Sequence, residues 1–138
     1  MNATRILKDL LQKDDSVQTA YLFGSVAKGR SGPLSDIDIA VLLKESLTPR
    51  ERYEKRILLI NEISSALRTD DVNLVIMNGS PLLLNYNIIR DGKLLESKNE
   101  SRRVLFETSI MSRYLDRKFY EDMHVREGMK RIAERGIL

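Results

Sequence analysis

The sequence predicts an α/β fold in which a small mixed β-sheet is flanked by helices and followed by a helical C-terminus. Apolar runs with the character of strands alternate with segments of helical periodicity along the chain. The 138 residues suffice for one domain with a core of its own. The composition, with 42% hydrophobic and 31% charged residues, is typical of a globular protein. We therefore expect one domain over residues 1–138, with an α/β core over 1–97 and a helical segment over 98–138.

The first elements are a short amphipathic helix and two strands separated by an exposed loop. Residues 18–23 read as a strand that ends at Gly24, and the glycines and proline of residues 29–33 open a loop. Residues 36–43 form a second strand, whose continuous apolar tail predicts burial on both faces of a covered sheet. The helix before them is predicted from helical spacing of Ile6, Leu7, Leu10 and Leu11.

A long helix should begin after residue 48. Thr48 is a good N-cap, Pro49 suits the first helical position, and Glu51 completes a capping box. One stripe of this helix is expected to be buried, formed by Tyr53, Ile57, Ile60, Ile63 and Leu67.

The second half of the chain predicts two more strands and further helices. Residues 72–77 read as a third strand, residues 81–90 as a helix, and residues 93–97 as a short fourth strand. From residue 100 the pattern is helical to the end, which gives the order α-β-β-α-β-α-β-α-α. The inward face of this last segment is expected to carry Leu105, Thr108, Met111, Leu115 and Phe119.

Composition excludes several classes of protein. The net charge of +3 is too small to indicate nucleic-acid binding by itself, and the absence of cysteine excludes a disulfide framework or a thiolate metal site. No apolar run is long enough to cross a bilayer. We expect a cytoplasmic protein with no membrane partner and no direct nucleic-acid binding.

Two acids near the start of the second strand form a candidate metal site. Successive strand side chains point to opposite faces, so Asp36 and Asp38 share a face, with Cα atoms roughly 6.5–7 Å apart. Their carboxylates can converge on Mg²⁺, which prefers oxygen ligands and binds through substrate phosphates. An Asp-x-Asp pair alone is more often a turn or a cap. Here the pair lies within an apolar run, where unpaired charge is costly, and this favours a functional role.

The turn before the acids is suited to phosphate. Gly24 lets the backbone approach a ligand closely, and Ser25 would open a short helix whose free N–H groups can meet an anion. Lys28 and Arg30 add positive charge nearby. Turn and acids together predict one site for a metal and a nucleotide.

The spacing of these residues resembles a known family. The signature of the polymerase-β-type nucleotidyltransferase superfamily is matched by Gly24-Ser25, ten intervening residues and Asp36-x-Asp38. The amino-acid sequence of this stretch is similar to that of the minimal, MNT-type branch of the superfamily. The likeness continues through four later stretches and covers nearly the whole chain. They are residues 72–78, 81–84, 90–95 and 112–116.

The resemblance implies a polymerase-β-like fold and a specific chemistry. Gly24 and Ser25 would hold the triphosphate of the substrate ATP, and Asp36 and Asp38 would bind Mg²⁺. Many MNT proteins are antitoxins of HEPN–MNT toxin–antitoxin pairs, which transfer AMP from ATP to a tyrosine of a HEPN ribonuclease toxin. We therefore expect a Mg²⁺-dependent protein adenylyltransferase with a HEPN toxin as partner.

One departure from the family pattern concerns a third acid on the next strand. The residue at that position is Asn73, and Asp71 lies two residues earlier on the same strand face. Asp71 could supply the missing carboxylate as a metal ligand and general base, or it could belong to a solvated turn. Reduced activity, with neutralisation by binding alone, is the alternative.

Other possibilities carry less weight. A small-molecule nucleotidyltransferase is disfavoured because the chain is short for an added substrate domain. His124 is expected to be a surface or packing residue, and the basic pairs along the C-terminal segment a solvated face. The aromatic and methionine side chains of that segment are mostly expected in the core, although they would suit a partner surface if exposed. They are Tyr114, Phe119, Tyr120 and Met123.

Overall fold

The computed structural model describes residues 3–24 and 37–135. The elements in order are α1 (Ala3–Lys13), β1 (Val17–Phe23), β2 (Ile37–Leu43), α2 (Pro49–Leu67), β3 (Val72–Ile76), α3 (Leu82–Asp91), β4 (Lys93–Ser97) and α4 (Glu100–Glu134). The predicted order is confirmed except at its end. One continuous helix stands where two were expected, because neither a proline nor a capping residue interrupts it and Gly128 is accommodated within it.

The four strands form one mixed sheet in the order β3-β2-β1-β4. Strand β1 pairs antiparallel with both β2 and β4, whereas β2 and β3 run parallel. The central position of β2 explains its apolar sequence, since three consecutive residues, Ile39, Ala40 and Val41, are fully buried. The predicted fold class is confirmed.

Helices cover both faces of the sheet. On one face α1 and α2 contribute Leu7, Leu11, Leu59 and Ile63 to a cluster with Ile39, Val41 and Leu74. On the other face, α3 and α4 cover a smaller cluster that contains Tyr21, Ala40, Met77 and Ile88. Because side chains alternate along β2, Asp38 lies on the same face as Ala40, which is the face covered by α3 and α4.

The start of α2 is as predicted, but the prediction of its buried stripe is partly wrong. Glu51 N–H donates to Thr48 Oγ1 at 3.1 Å, and Thr48 N–H donates to Glu51 Oε1 at 2.9 Å, so the capping box is confirmed. Tyr53 and Ile57, however, are 62% and 41% exposed. The helix turns Leu59 and Ile63 toward the sheet, so only the later part of the expected stripe reaches the core.

The C-terminal helix α4 differs most from expectation. Only Ile110 is buried among its residues, and the stripe that was expected to face inward is exposed along its whole length. The helix instead directs the opposite side, around Phe106, Ile110 and Tyr114, toward the rest of the domain. Of the residues expected in the core, Tyr114 is half-buried, whereas Phe119, Tyr120 and Met123 are exposed. None of the helices in the described ranges is long and apolar enough to cross a membrane.

Candidate functional site

The site is built where β1 ends and where β2 and β3 begin. Asp38, the second residue of β2, pairs with Phe23 of β1 on one side and with Asn73 of β3 on the other. Its side chain is half-buried. Two strands therefore bring the residue after Phe23 and the side chain of Asn73 next to one carboxylate.

Gly24 lies directly against the Asp38 carboxylate. Its φ of +75° is in the left-handed region, which glycine adopts without steric cost. A Cβ at this position would overlap the carboxylate and lie 3.0 Å from Asp38 Cγ. The sequence therefore needs glycine here for two reasons, the backbone conformation and the close approach of an acid.

Asn73 occupies the position beside Asp38 on the neighbouring strand. Its Nδ2 donates a hydrogen bond to Asp38 Oδ1 at 3.2 Å. The amide fixes the orientation of one carboxylate oxygen without adding charge. Asn73 occupies the position at which the family often has an acid, and its side chain is in contact with Asp38.

Asp71 lies just before β3 and is exposed. Its carbonyl accepts a hydrogen bond from Ile37 N–H at 2.8 Å, and its own N–H donates to Thr69 Oγ1 at 3.1 Å. The parallel register puts it one strand over from Asp38 and two residues along, so the two Cα atoms are roughly 8 Å apart. A role for Asp71 as third carboxylate stays a prediction.

Two of the five predicted site residues, Gly24 and Asp38, are brought into contact. Ser25 and Asp36 lie outside the described residues, as do Lys28 and Arg30. In the two described ranges, no group of three acidic, histidine or cysteine side chains forms a metal cluster.

The Asp38 carboxylate is suited to bind a hard divalent cation. Within the described ranges, none of the ion pairs involves Asp38, so neither lysine nor arginine neutralises this carboxylate. Among the residues that the structure describes, the backbone of Gly24 and the neutral amide of Asn73 lie next to it. A half-buried carboxylate without an ion-pair partner in those ranges offers the kind of oxygen ligand that Mg²⁺ prefers.

A polar network that the sequence interpretation missed holds α4 against the face that carries Asp38. The Tyr21 hydroxyl donates to Glu107 Oε2 at 2.5 Å, and Arg103 Nη1 donates to the same oxygen at 3.0 Å. Burial, and then the hydrogen bond to Glu107, raise the pKa of Tyr21 above its usual range. The spacing of four residues between Arg103 and Glu107 is typical of an ion pair on one helix face, and the sequence shows it. Nothing in the sequence connects this pair to Tyr21.

A comparison with known proteins identifies the family. The family model described as "Polymerase beta, Nucleotidyltransferase" matches residues 6–101, which is more than half of the chain. The chain belongs to the polymerase-β nucleotidyltransferase family. This confirms the resemblance inferred from the Gly-Ser turn and the paired aspartates, and the nucleotidyltransferase class of enzyme with it.

Similar proteins include antitoxins of the MNT type. The chain is 33% identical over 114 residues to "Protein adenylyltransferase MntA" of Shewanella oneidensis, covering 83% of this chain and 78% of the relative. It also matches a chain of a crystal structure of a toxin–antitoxin with AMP-PNP, with a TM-score of 0.69, 30% identity and coverage of 94% and 99% of the two chains. A third match is to a structure of tri-AMPylated Shewanella oneidensis HEPN toxin in complex with MNT antitoxin, with a TM-score of 0.62, 28% identity and coverage of 92% and 95%.

A cavity in this nucleotidyltransferase lies away from the proposed chemistry. It has a volume of about 670 Å³ and is lined by residues that include Leu43, Asn78, Asn85 and Arg102. Leu43 is at the opposite end of β2 from Asp38, roughly 17 Å along the strand. The cavity is therefore not the place where Asp38 meets a substrate.

Proposed function

We propose that this nucleotidyltransferase is the antitoxin of a toxin–antitoxin pair, and that it transfers AMP from ATP to a tyrosine hydroxyl of a HEPN ribonuclease toxin. The observation that carries the proposal is the contact between the Gly24 turn and the Asp38 carboxylate. The likeness to MntA and to chains of toxin–antitoxin complexes supports the choice of acceptor. We assign catalysis to residues 1–97 and expect the protein in the cytoplasm.

The proposed reaction is a displacement at the α-phosphate of ATP. The tyrosine oxygen forms a bond to the α-phosphorus, and the bond from that phosphorus to the oxygen bridging the β-phosphate breaks. Pyrophosphate leaves, and the hydroxyl proton passes to a base, for which Asp71 is our candidate. In this scheme Gly24 and Ser25 hold the phosphates close to the acids through backbone N–H groups. A side chain at residue 24 would overlap the Asp38 carboxylate and disturb this arrangement.

Asp36 and Asp38 are the residues that would hold Mg²⁺, with Asp71 as a further ligand. When bound, the cation would neutralise charge on the phosphates and favour departure of pyrophosphate. The chain itself orients one Asp38 oxygen through Asn73 and leaves the carboxylate free of a lysine or arginine partner within the described ranges.

The direct test is the intact mass of a cognate toxin. A short helical HEPN protein with an Arg-x4-6-His motif, encoded beside this chain, would be incubated with the purified antitoxin, ATP and Mg²⁺. We expect the toxin mass to rise by whole AMP units and its ribonuclease activity to fall. An unchanged toxin mass with full loss of ribonuclease activity would contradict transfer.

The second candidate function is neutralisation by binding alone, and the amide at Asn73 favours it, since the family often has an acid there. Replacing both Asp36 and Asp38 with alanine separates the two candidates. If transfer is required, cells that express the toxin with this variant should stop growing. Continued protection, with no AMP on the toxin, would establish binding as the mechanism.

The role of Asp71 can be tested in the same assay. We expect Asp71→Asn to lower the rate of transfer about 10²-fold, because a general base typically contributes at least that factor. Adding Asn73→Asp to this variant should restore part of the rate by supplying a carboxylate next to Asp38. An unchanged rate in Asp71→Asn would show that Asp71 is only a residue of the turn before β3.

A further inference from the structure

The outer side of α4 carries a continuous row of exposed apolar side chains. Met111, Leu115, Phe119 and Met123 follow each other at intervals of four residues, and we call them the outer ridge. They are 37%, 57%, 61% and 44% exposed, respectively. Large apolar side chains scattered singly on a surface need no explanation, but a row of four on one helix face indicates an interaction site.

The outer ridge points away from the domain. The side of α4 that packs inward holds Arg103, Glu107, Ile110 and Tyr114, where Tyr114 stacks on Tyr86 of α3 with ring centroids 3.6 Å apart. Met111 and Leu115 each follow one of these packing residues by a single position, about 100° further around the helix. With the packing row against the domain, the outer ridge stays exposed.

The contacts of α4 within the domain do not account for its length. The helix has 35 residues, about 52 Å, yet none of its own residues after Ile110 is buried. Helices in water owe most of their stability to packing of an apolar face, and a long exposed helix gains little from propensity alone. The outer part of α4 has a suitable apolar face but no partner among the described residues.

The comparisons indicate which kind of partner this helix serves. The model of the nucleotidyltransferase family ends at residue 101, which is the second residue of α4. The matched chain of the toxin–antitoxin crystal structure instead extends over 94% of this chain, so it includes most of α4. The helix is thus additional to the family's shared domain and is present in a protein solved as a toxin–antitoxin.

We propose that the outer ridge is the docking surface for the HEPN toxin, and that it packs between helices of that partner. This inference rests on the proposed function. A row at intervals of four is the ridge that fits the groove of another helix, and methionine and phenylalanine are enriched at the centres of protein interfaces. Docking through α4 holds the toxin on the enzyme while its tyrosine is presented at Asp38.

The chain offers a matched pair of variants for the test. Leu115→Gln with Phe119→Gln removes the centre of the outer ridge. Arg117→Gln with Glu121→Gln is the control, because these residues lie two positions further on, about 200° around the helix, and form an ion pair with 59% and 62% exposed side chains. Both variants introduce the same good helix former in the same turns, and neither changes the net charge.

Affinity for the purified toxin would be measured by calorimetry. We expect the ridge variant to bind at least about 30-fold more weakly than the wild type, as is typical when central interface anchors are lost. The control should stay within about threefold, as expected for a solvent-exposed ion pair. Equal affinities of the two variants would overturn the proposal.

Two further measurements separate the remaining outcomes. Sedimentation velocity of the antitoxin alone would reveal a dimer that the ridge variant dissociates, and with unchanged toxin affinity that result would assign the ridge to a second copy and overturn the proposal. AMP transfer by the wild type tests the proposed function independently. Toxin binding without AMP transfer would overturn the proposed enzymatic function but not the proposed docking surface. AMP transfer together with unchanged toxin binding by the ridge variant would overturn the docking surface but not the enzymatic function.

Discussion

The sheet and the outer part of α4 place their apolar side chains in opposite ways. In β2, Ile39 and Val41 are completely buried between two layers of helices. In α4, Leu115 and Phe119 are more than half exposed, although they are just as apolar. The difference shows that one part of the chain is stabilised by its own contacts, whereas the other presents an apolar surface that the domain itself does not use.

The largest expected effect compares a buried with an exposed apolar residue. Ile63→Ala should lower the free energy of unfolding by about 2–5 kcal/mol, because Ile63 is fully buried between α2 and the sheet. Leu115→Ala should change it by less than about 0.5 kcal/mol, as is usual for an exposed position. Urea unfolding of the isolated protein measures both. Similar losses in the two variants would show that the exposed row of α4 is packed like the core.

A second pair of variants compares glycines at the site and in the helix. Gly24→Ala should lower AMP transfer about 10²-fold, because its Cβ would displace the Asp38 carboxylate. Gly128→Ala is the control, since a Cβ there meets nothing within 4 Å. It should leave transfer unchanged and stabilise the helix by about 1 kcal/mol. Full activity of Gly24→Ala would show that the close approach to Asp38 is not needed.

The smallest effect concerns the network that joins the packed part of α4 to the sheet. Tyr21→Phe removes the hydrogen bond to Glu107 and should cost about 1 kcal/mol of stability at neutral pH.

The same tyrosine makes stability depend on pH at the alkaline end. Because its pKa is raised in the folded protein, its contribution is fully present below the unfolded value of about 10 and is lost as the pH rises above it. Urea unfolding at several pH values should therefore show a steeper alkaline loss in the wild type than in Tyr21→Phe. Parallel curves would contradict the raised pKa.

Local signals in the sequence predicted much of the fold and part of the site. The capping box at Thr48 and Glu51 depends on residues three apart, and the structure confirms it. The Gly24 turn and Asp38 were found in the same way, because strand alternation and residue type are local properties. Contacts between distant residues were not available from these signals. The hydrogen bond between Asn73 and Asp38 depends on the register of two parallel strands separated by a helix.

The apolar row on α4 separates what the sequence determines from what only the tertiary structure determines. Helical periodicity by itself determined that Met111, Leu115 and Phe119 share one face, because 3.6 residues per turn fixes their relative directions. It could not determine what that face meets. Only the tertiary structure decided that Ile110 and Tyr114 pack inward, through contacts with α3 and the sheet, and that the apolar row faces outward.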